Sequence, residues 1–293
     1  MAANTRDIRR RIKSVKNTSQ ITKAMQMVAA AKMRKAQQVA IAGRAYADLL
    51  SQVLKSVAAS AEDGAHQLLT EREVKKELVI VISPDKGLCG ALNTNLFREV
   101  SKFDPAKTVF VASGRKATQF LARTNRELIA EFPLKDSPSF LETKNIGKFA
   151  MEKFTSGEVD KVTVVFTDFI NTLSQVPKAR VILPIASLEV TVGIGGAQEE
   201  AKVTSEDTTE YLFEPNIGEV LSSVLPHHVY FQIYQMVLDA RASEHSARMV
   251  AMKSATDNAK QLIKDLTLEY NKVRQAAITT ELLEITTAQM ALA

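Results

Sequence analysis

The stretch Pro84-Asp85-Lys86-Gly87-Leu88-Cys89-Gly90 holds the residue types that come nearest to chemistry in this chain. Glycines and a lysine after an apolar run are ingredients of a phosphate cradle, where bare backbone N–H groups and an ammonium hold the anion. The spacing does not fit one: the glycines stand as GxxG, neither the GxGxxG of a dinucleotide turn nor the GxxxxGK[ST] of a P-loop. A tight turn opening a helix is what this loop supports. Cys89 is the single cysteine, so it has no CxxC partner and no internal disulfide, which fits a reducing compartment. Of the histidines His66, His227, His228 and His245, only the last has an acid beside it, Glu244. Neighbours in sequence point in different directions on a helix, so that pair is a weak ligand set. No catalytic residue, metal or cofactor is expected.

The elements around this loop are marked by where the helix breakers fall. Residues 227–293 contain no proline and no glycine, and residues 1–63 contain only Gly43. Proline and glycine interrupt helices, so each end reads as one long helix. Residues 1–63 form an N-terminal helix, 74–215 a central domain, and 216–293 a C-terminal helix.

From Ile8 a 4-3 spacing runs through residues 8, 12, 15, 19, 22, 26, 29, 33, 36, 40, 43, 47, 50, 54 and 57. Eleven of these are apolar, among them Ile8, Ile12, Val15, Ala29, Met33, Leu50, Leu54 and Val57. That is the seam of a coiled coil. At Ser19, Thr22 and Gln26 the apolar stripe jumps to Ile21, Met25 and Val28, which predicts a phase change or a second contact face. Ala36, Ala40, Gly43 and Ala47 are small, so the partner helix must come close. The C-terminal segment answers with Val229, Ile233, Met236, Ala240, Ala247 and Val250, then Ala259, Ile263, Leu266, Tyr270, Val273 and Ala277 in shifted phase. Neither helix buries its stripe alone, which predicts an antiparallel pairing of the two ends.

Between them, strand and helix alternate. Leu78–Ser83, Thr108–Ala112, Lys161–Phe169 and Ala179–Ile185 read as strands, the last two as a hairpin. Leu92–Lys102, Arg115–Thr124 and Phe140–Ser156 read as helices. Gly193–Thr208 reads as a loop, and Ile217–Val224 as a short apolar segment leading through Pro226 into the last helix. The fold class is therefore α/β with long helices, an antiparallel two-helix coiled coil plus a central Rossmann-like α/β domain.

The net charge of +5 is unevenly spread. Residues 1–44 carry eleven Lys/Arg and one acid, Asp7, while residues 227–293 carry seven of each sign. The basic first helix implies an acidic partner. No run of 18 apolar residues exists to cross a membrane. The basic start lacks an apolar core, so it is no secretory signal, and the helix pattern from Ile8 leaves no room for a leader.

Three stretches carry a resemblance: Ile8–Gln37 (IRRRIKSVKNTSQITKAMQMVAAAKMRKAQ), Pro84–Asn95 (PDKGLCGALNTN) and Ser243–Ile285 (SEHSARMVAMKSATDNAKQLIKDLTLEYNKVRQAAITTELLEI). In order and over nearly the whole chain they resemble the gamma-subunit family of F-type ATP synthases, of the bacterial type. The resemblance implies a central rotor stalk that couples proton translocation to ATP synthesis. It implies alpha and beta subunits as a hexamer, the epsilon subunit and the membrane c-ring as partners, with membrane association only through the complex. The complex would lie on the cytoplasmic side of the inner membrane. It further implies partner contacts at Arg9, Arg10, Lys13, Lys23, Lys32, Arg34 and Lys35, at Met25 of the KAM motif, and at Arg274, Gln275, Thr279 and Glu281 of the RQAxITxEL segment. Arg248, Lys253 and Asp257 read as ordinary helix surface pairs. No chloroplast-type cysteine insertion is present, so thiol control is not expected.

Two other classes compete. A basic coiled-coil scaffold for nucleic acid or membrane would favour aromatics among its lysines and arginines, and residues 1–44 have none. A nucleotide-binding enzyme on the α/β domain lacks the phosphate loop.

Overall fold

The computed structural model describes residues 5–43, 46, 49–50, 53–54, 66–185 and 216–292. The chain forms two compact units, Met1–Ala29 with Met249–Ala293, and Ala30–Arg248. The helices α1 (Thr5–Ala42) and α5 (Ile217–Leu292) contribute to both.

In the larger unit, β1 (Glu77–Ile82), β2 (Thr108–Ser113), β3 (Leu128–Glu131), β4 (Lys161–Phe169) and β5 (Gln175–Leu183) form one sheet in the order β3-β2-β1-β4-β5. The first four run parallel, and β5 pairs antiparallel with β4, as the hairpin reading required. β1, β2 and β4 are almost wholly buried, because a parallel sheet covered on both faces needs apolar residues on both. Val79, Val81, Phe110 and Ala112 face α2 (Leu92–Val100) and α3 (Arg115–Arg123), packing on Leu96, Ala117 and Leu121. Leu78, Ile80, Val109 and Val164 face the other way. They pack in one core with Ile146 and Phe154 of α4 (Phe140–Thr155) and with Leu221, Leu225 and Val229 of α5. Ser139 starts α4 with a capping box, its hydroxyl taking the Glu142 N–H.

Two expectations are corrected here, and one strand is new. The new strand is β3, whose four residues, half of them exposed, carry too short an apolar run to mark it. Pro226 does not precede the last helix but lies inside it. The helix starts earlier, where the Asn216 side chain accepts the Glu219 N–H at 2.8 Å. An interior proline costs about 3 kcal/mol, but Leu221, Leu225 and Val229 are each almost fully buried, at about 1.5–3 kcal/mol apiece. Packing outweighs the break. The Gly193–Thr208 reading, like Ala47 and Val57 of the seam, lies outside the described residues.

The second correction concerns the smaller unit, where residues 5–29 of α1 pair antiparallel with α5. Moving along α1 from Arg9 to Thr22 moves the contact on α5 back from Tyr270 to Thr256. The seam keeps its 4-3 spacing without a phase change. Thr22 and Ala29 are buried in register, whereas Ile21 and Val28 are 60% and 55% exposed. A polar seam position is tolerated because Thr22 Oγ1 meets Thr256 Oγ1 at 2.7 Å and the Thr256 hydroxyl also reaches the Met252 carbonyl at 2.8 Å, so the buried hydroxyls are bonded. On α5 the seam runs Met252, Thr256, Ala259, Ile263, Leu266, Tyr270 and Val273; Ala277, expected in it, is exposed. With Arg9 level with Tyr270, no described residue of α1 lies opposite Ala277.

The threonine pair gives a test. Thr22→Val removes the bond between the helices and leaves the Thr256 hydroxyl with the Met252 carbonyl alone, so it should cost about 0.5–1.5 kcal/mol, while Thr22→Val with Thr256→Val should be nearly neutral. Thermal unfolding of the two variants checks this; equal losses in both would remove the hydroxyl pair as the reason.

Candidate functional site

In the smaller unit Arg10, Lys13 and Lys23 stand exposed on α1, and Met25 is half-buried beside the seam. Arg9 is already engaged. Its guanidinium donates to the Tyr270 hydroxyl at 2.5 Å and lies over that ring, 5.4 Å from its centroid. It therefore ties the two helices together as well as presenting charge. Arg274, Gln275, Thr279 and Glu281 sit on the part of α5 beyond Val273, and every side chain described there is exposed. Thr279 donates back to the Gln275 carbonyl at 3.0 Å, which keeps the two on one helix face. Ile278, Leu282, Ile285 and Met290 are exposed among them.

In the larger unit Lys32, Arg34 and Lys35 are exposed on α1. Lys32 forms an ion pair with Asp136, and that bond holds the Asp136 carboxyl below its usual range. The close helix approach read from small residues is present. Ala40 is fully buried against Leu238 and Ala242, and a Cβ on Gly43 would meet Gln235 Nε2 at 2.6 Å.

Sequence reasoning placed Arg248 on the surface, and the structure corrects this. Glu244 is buried between two arginines, taking Arg241 Nη1 at 2.9 Å and Arg248 Nη2 at 2.8 Å. Arg241 also donates to the Leu134 carbonyl at 3.0 Å, and Arg248 to the Lys86 and Gly87 carbonyls at 3.3 Å each. The i,i+3 and i,i+4 spacing of these charges is the same for a solvated helix face, so no local signal separates the two. Lys253 and Asp257 are exposed as expected.

The GLCG loop is held from three sides. Arg248 grips its carbonyls. Asp85 accepts the Arg115 N–H at 3.0 Å. Cys89 is buried, which pushes its thiol up, and it accepts from Asn93 at 3.5 Å. Leu88, at φ 61°, is turned outward and exposed.

In open α/β sheets, ligands enter beyond the carboxyl ends of the strands, where the strand order reverses. Here that place lies between β1 and β4, and α5 occupies it. Ser243 donates to the Thr167 carbonyl at 3.0 Å, Ser246 to the Thr172 carbonyl at 2.9 Å, and Arg248 reaches the loop after β1. The crevice serves as a mount for a helix. Among the described residues no group of three His, Cys, Asp or Glu is placed to hold a metal.

The histidines have separate roles. His227 Nε2 bonds the Tyr46 hydroxyl at 2.6 Å, and Leu68 N–H donates to His66 Nδ1 at 3.2 Å. His228 is fully buried, and neither ring nitrogen has a partner. Burial, aided by His227, lowers its pKa to about 4. As pH falls from 6.5 toward 4 the unfolded chain takes a proton that the folded chain refuses, so stability falls by about 3 kcal/mol over that window. His228→Leu should flatten this part of the profile in urea unfolding at pH 7 and pH 4.5. An unchanged difference between the two pH values would sink the assignment.

A family model described as "ATP synthase" matches residues 4–292. The chain is 51% identical over 294 residues to the ATP synthase gamma chain of Opitutus terrae, and 49% identical over 296 residues to that of Methylacidiphilum infernorum, covering 99% of each chain in both cases. Among solved structures it is similar to a chain of the Tetrahymena thermophila mitochondrial ATP synthase central stalk/c-ring. That match has 26% identity and a TM-score of 0.61, over 80% of this chain and 99% of that one. A chain of the Euglena gracilis mitochondrial enzyme shares the fold at 20% identity, with a TM-score of 0.68 over 98% and 94%.

Proposed function

The chain belongs to the ATP synthase family as a gamma chain, and on that premise we propose how its parts do the work of a central rotor stalk. It transmits rotation between the proton-driven c-ring and the alpha/beta hexamer, coupling proton translocation to ATP synthesis. Catalysis lies in the hexamer, and this chain supplies no catalytic residue. The complex sits on the cytoplasmic side of the inner membrane. The chain joins it through its partners, since among the described residues no helix is long and apolar enough to cross a membrane.

One observation carries this reading: the helix pair is electrically lopsided. Residues 5–29 hold seven Lys/Arg and one Asp, while residues 249–273, the part of α5 paired with them, hold four Lys and three Asp/Glu. A ligand shifts an equilibrium only by binding its states unequally. Turned about its axis, this pair offers a positive side and then a neutral one to each surrounding subunit. Arg9, Arg10, Lys13, Lys23, Lys32, Arg34 and Lys35 meet acidic segments of the beta subunits, and Met25 lies at the level of contact with them. Arg274, Gln275, Thr279 and Glu281 meet the hexamer near the top of the shaft. Segments 1–63 and 216–293 serve as the shaft, and 74–215 as the body that takes the epsilon subunit and the c-ring.

Rotation is directly observable. Leu173, in the turn after β4, is 83% exposed, whereas Cys89 is buried, so a Leu173→Cys chain labels at one place. With the hexamer fixed to glass, a bead on that cysteine is expected to turn when ATP is added. A still bead over hydrolysing hexamers overturns the reading. The isolated chain is expected to turn over no nucleotide.

A further inference from the structure

A cleft of about 40 Å³ opens in the larger unit, lined by Lys32, Lys35, Asp136, Ser137, Arg241 and His245 among others. Its floor is built, not incidental. Arg241 and His245 are both more than nine-tenths buried. Arg241 is fixed by Glu244 and the Leu134 carbonyl, yet its Nε–H has no partner. His245 Nδ1 faces Arg248 Nη1 at 3.5 Å. An arginine only donates, so Nδ1 is the acceptor and the ring proton sits on Nε2. The cleft thus has a buried guanidinium N–H without an acceptor and a neutral imidazole whose own N–H sits on Nε2.

The charges around it do not cancel. Lys32, Lys35, Arg241 and Arg248 face Asp136 and Glu244, which leaves two positive charges in excess. A buried donor without an acceptor, an excess of two charges and a volume larger than one water call for a small, doubly charged acceptor. We propose that this cleft binds a free tetrahedral oxyanion of the phosphate type. Arg241 Nε–H and His245 Nε2–H are its fixed donors, and Lys35 is its mobile counter-charge. In the isolated chain Lys32 is paired with Asp136, whose carboxylate limits how tightly an anion is held. The site is built from residues of the larger unit alone and is read in the isolated chain, where no beta subunit competes for Lys32 and Lys35.

The test uses the full chain with its histidines isotopically labelled and inorganic phosphate as probe, against chloride at equal ionic strength. The chain has four histidines, and the His245 imidazole signal is assigned by its loss in His245→Asn. That signal is expected to shift saturably with phosphate, to be competed by sulfate, and to need at least ten times more phosphate in Lys35→Gln. Lys35 is exposed, so that variant should fold. As an independent reading, phosphate should raise the melting temperature over chloride in the parent chain and much less in Lys35→Gln. A shift that never saturates, or is the same in Lys35→Gln, means that water or diffuse charge fills the cleft and overturns the proposal. Saturation by acetate but not phosphate also overturns it, in favour of a carboxylate from a partner.

Discussion

Glu244→Ala is expected to cost the chain about 3–5 kcal/mol, because it leaves buried guanidinium groups without their counter-charge. The Glu244 and Arg241 side chains are each 5% exposed and that of Arg248 is 11% exposed. Returning Arg241 to water means pulling it off the Leu134 carbonyl, and returning Arg248 means releasing the Lys86 and Gly87 carbonyls. The loss would therefore spread from α5 to the GLCG loop. Urea unfolding gives the magnitude, and amide exchange in residues 86–90 should quicken in the variant. Glu244→Gln keeps the shape and one acceptor but not the charge, and should fall between. A loss below 1 kcal/mol for Glu244→Ala would mean that the arginines find water without moving, contrary to their burial.

Gly114→Ala is expected to cost about 4 kcal/mol. Gly114 has φ 106°, and an added Cβ would stand 2.1 Å from the Ser83 carbonyl oxygen. The dihedral alone costs an L-residue about 1–3 kcal/mol, and forcing packed backbone apart costs about as much again. Little can give way: Ser83 N–H is bonded to the Ser113 carbonyl at 2.8 Å, and Ser83 Oγ takes the Ala117 N–H at 2.8 Å. Gly87→Ala is the control, since a Cβ there meets nothing within 4 Å; it should stay within about 0.5 kcal/mol of the parent. Melting curves of both variants decide it. Similar small losses at the two sites would rule out the strained junction between β1 and β2.

Much of this architecture can be read from residue patterns because its physics is local. β1, β2 and β4 announce themselves as short apolar runs, since burial on both faces leaves no room for polar residues. The seam of α1 follows from spacing alone. What spacing could not show depends on partners distant in the chain. Thr22 reads as a break in the seam until Thr256 is seen opposite it. Arg241, Glu244 and Arg248 look like a solvated face until the GLCG loop and Leu134 close over them. The start of α5 was legible in principle, as Asn216 with Glu219 three residues on, but Pro226 is the stronger local signal and misleads. The contact residues divide likewise. Basic side chains on α1 stand out by charge, whereas Arg274, Gln275, Thr279 and Glu281 have no physical mark apart from the resemblance.

The stretch of α5 after Val273 has a mechanical consequence. About 19 residues of single helix, with no neighbour from this chain among the described residues, are marginally stable in water. Such a segment cannot be stiff by itself. Whatever encloses it must act as a sleeve, and the torque that this end can bear is a property of the bearing as much as of the axle.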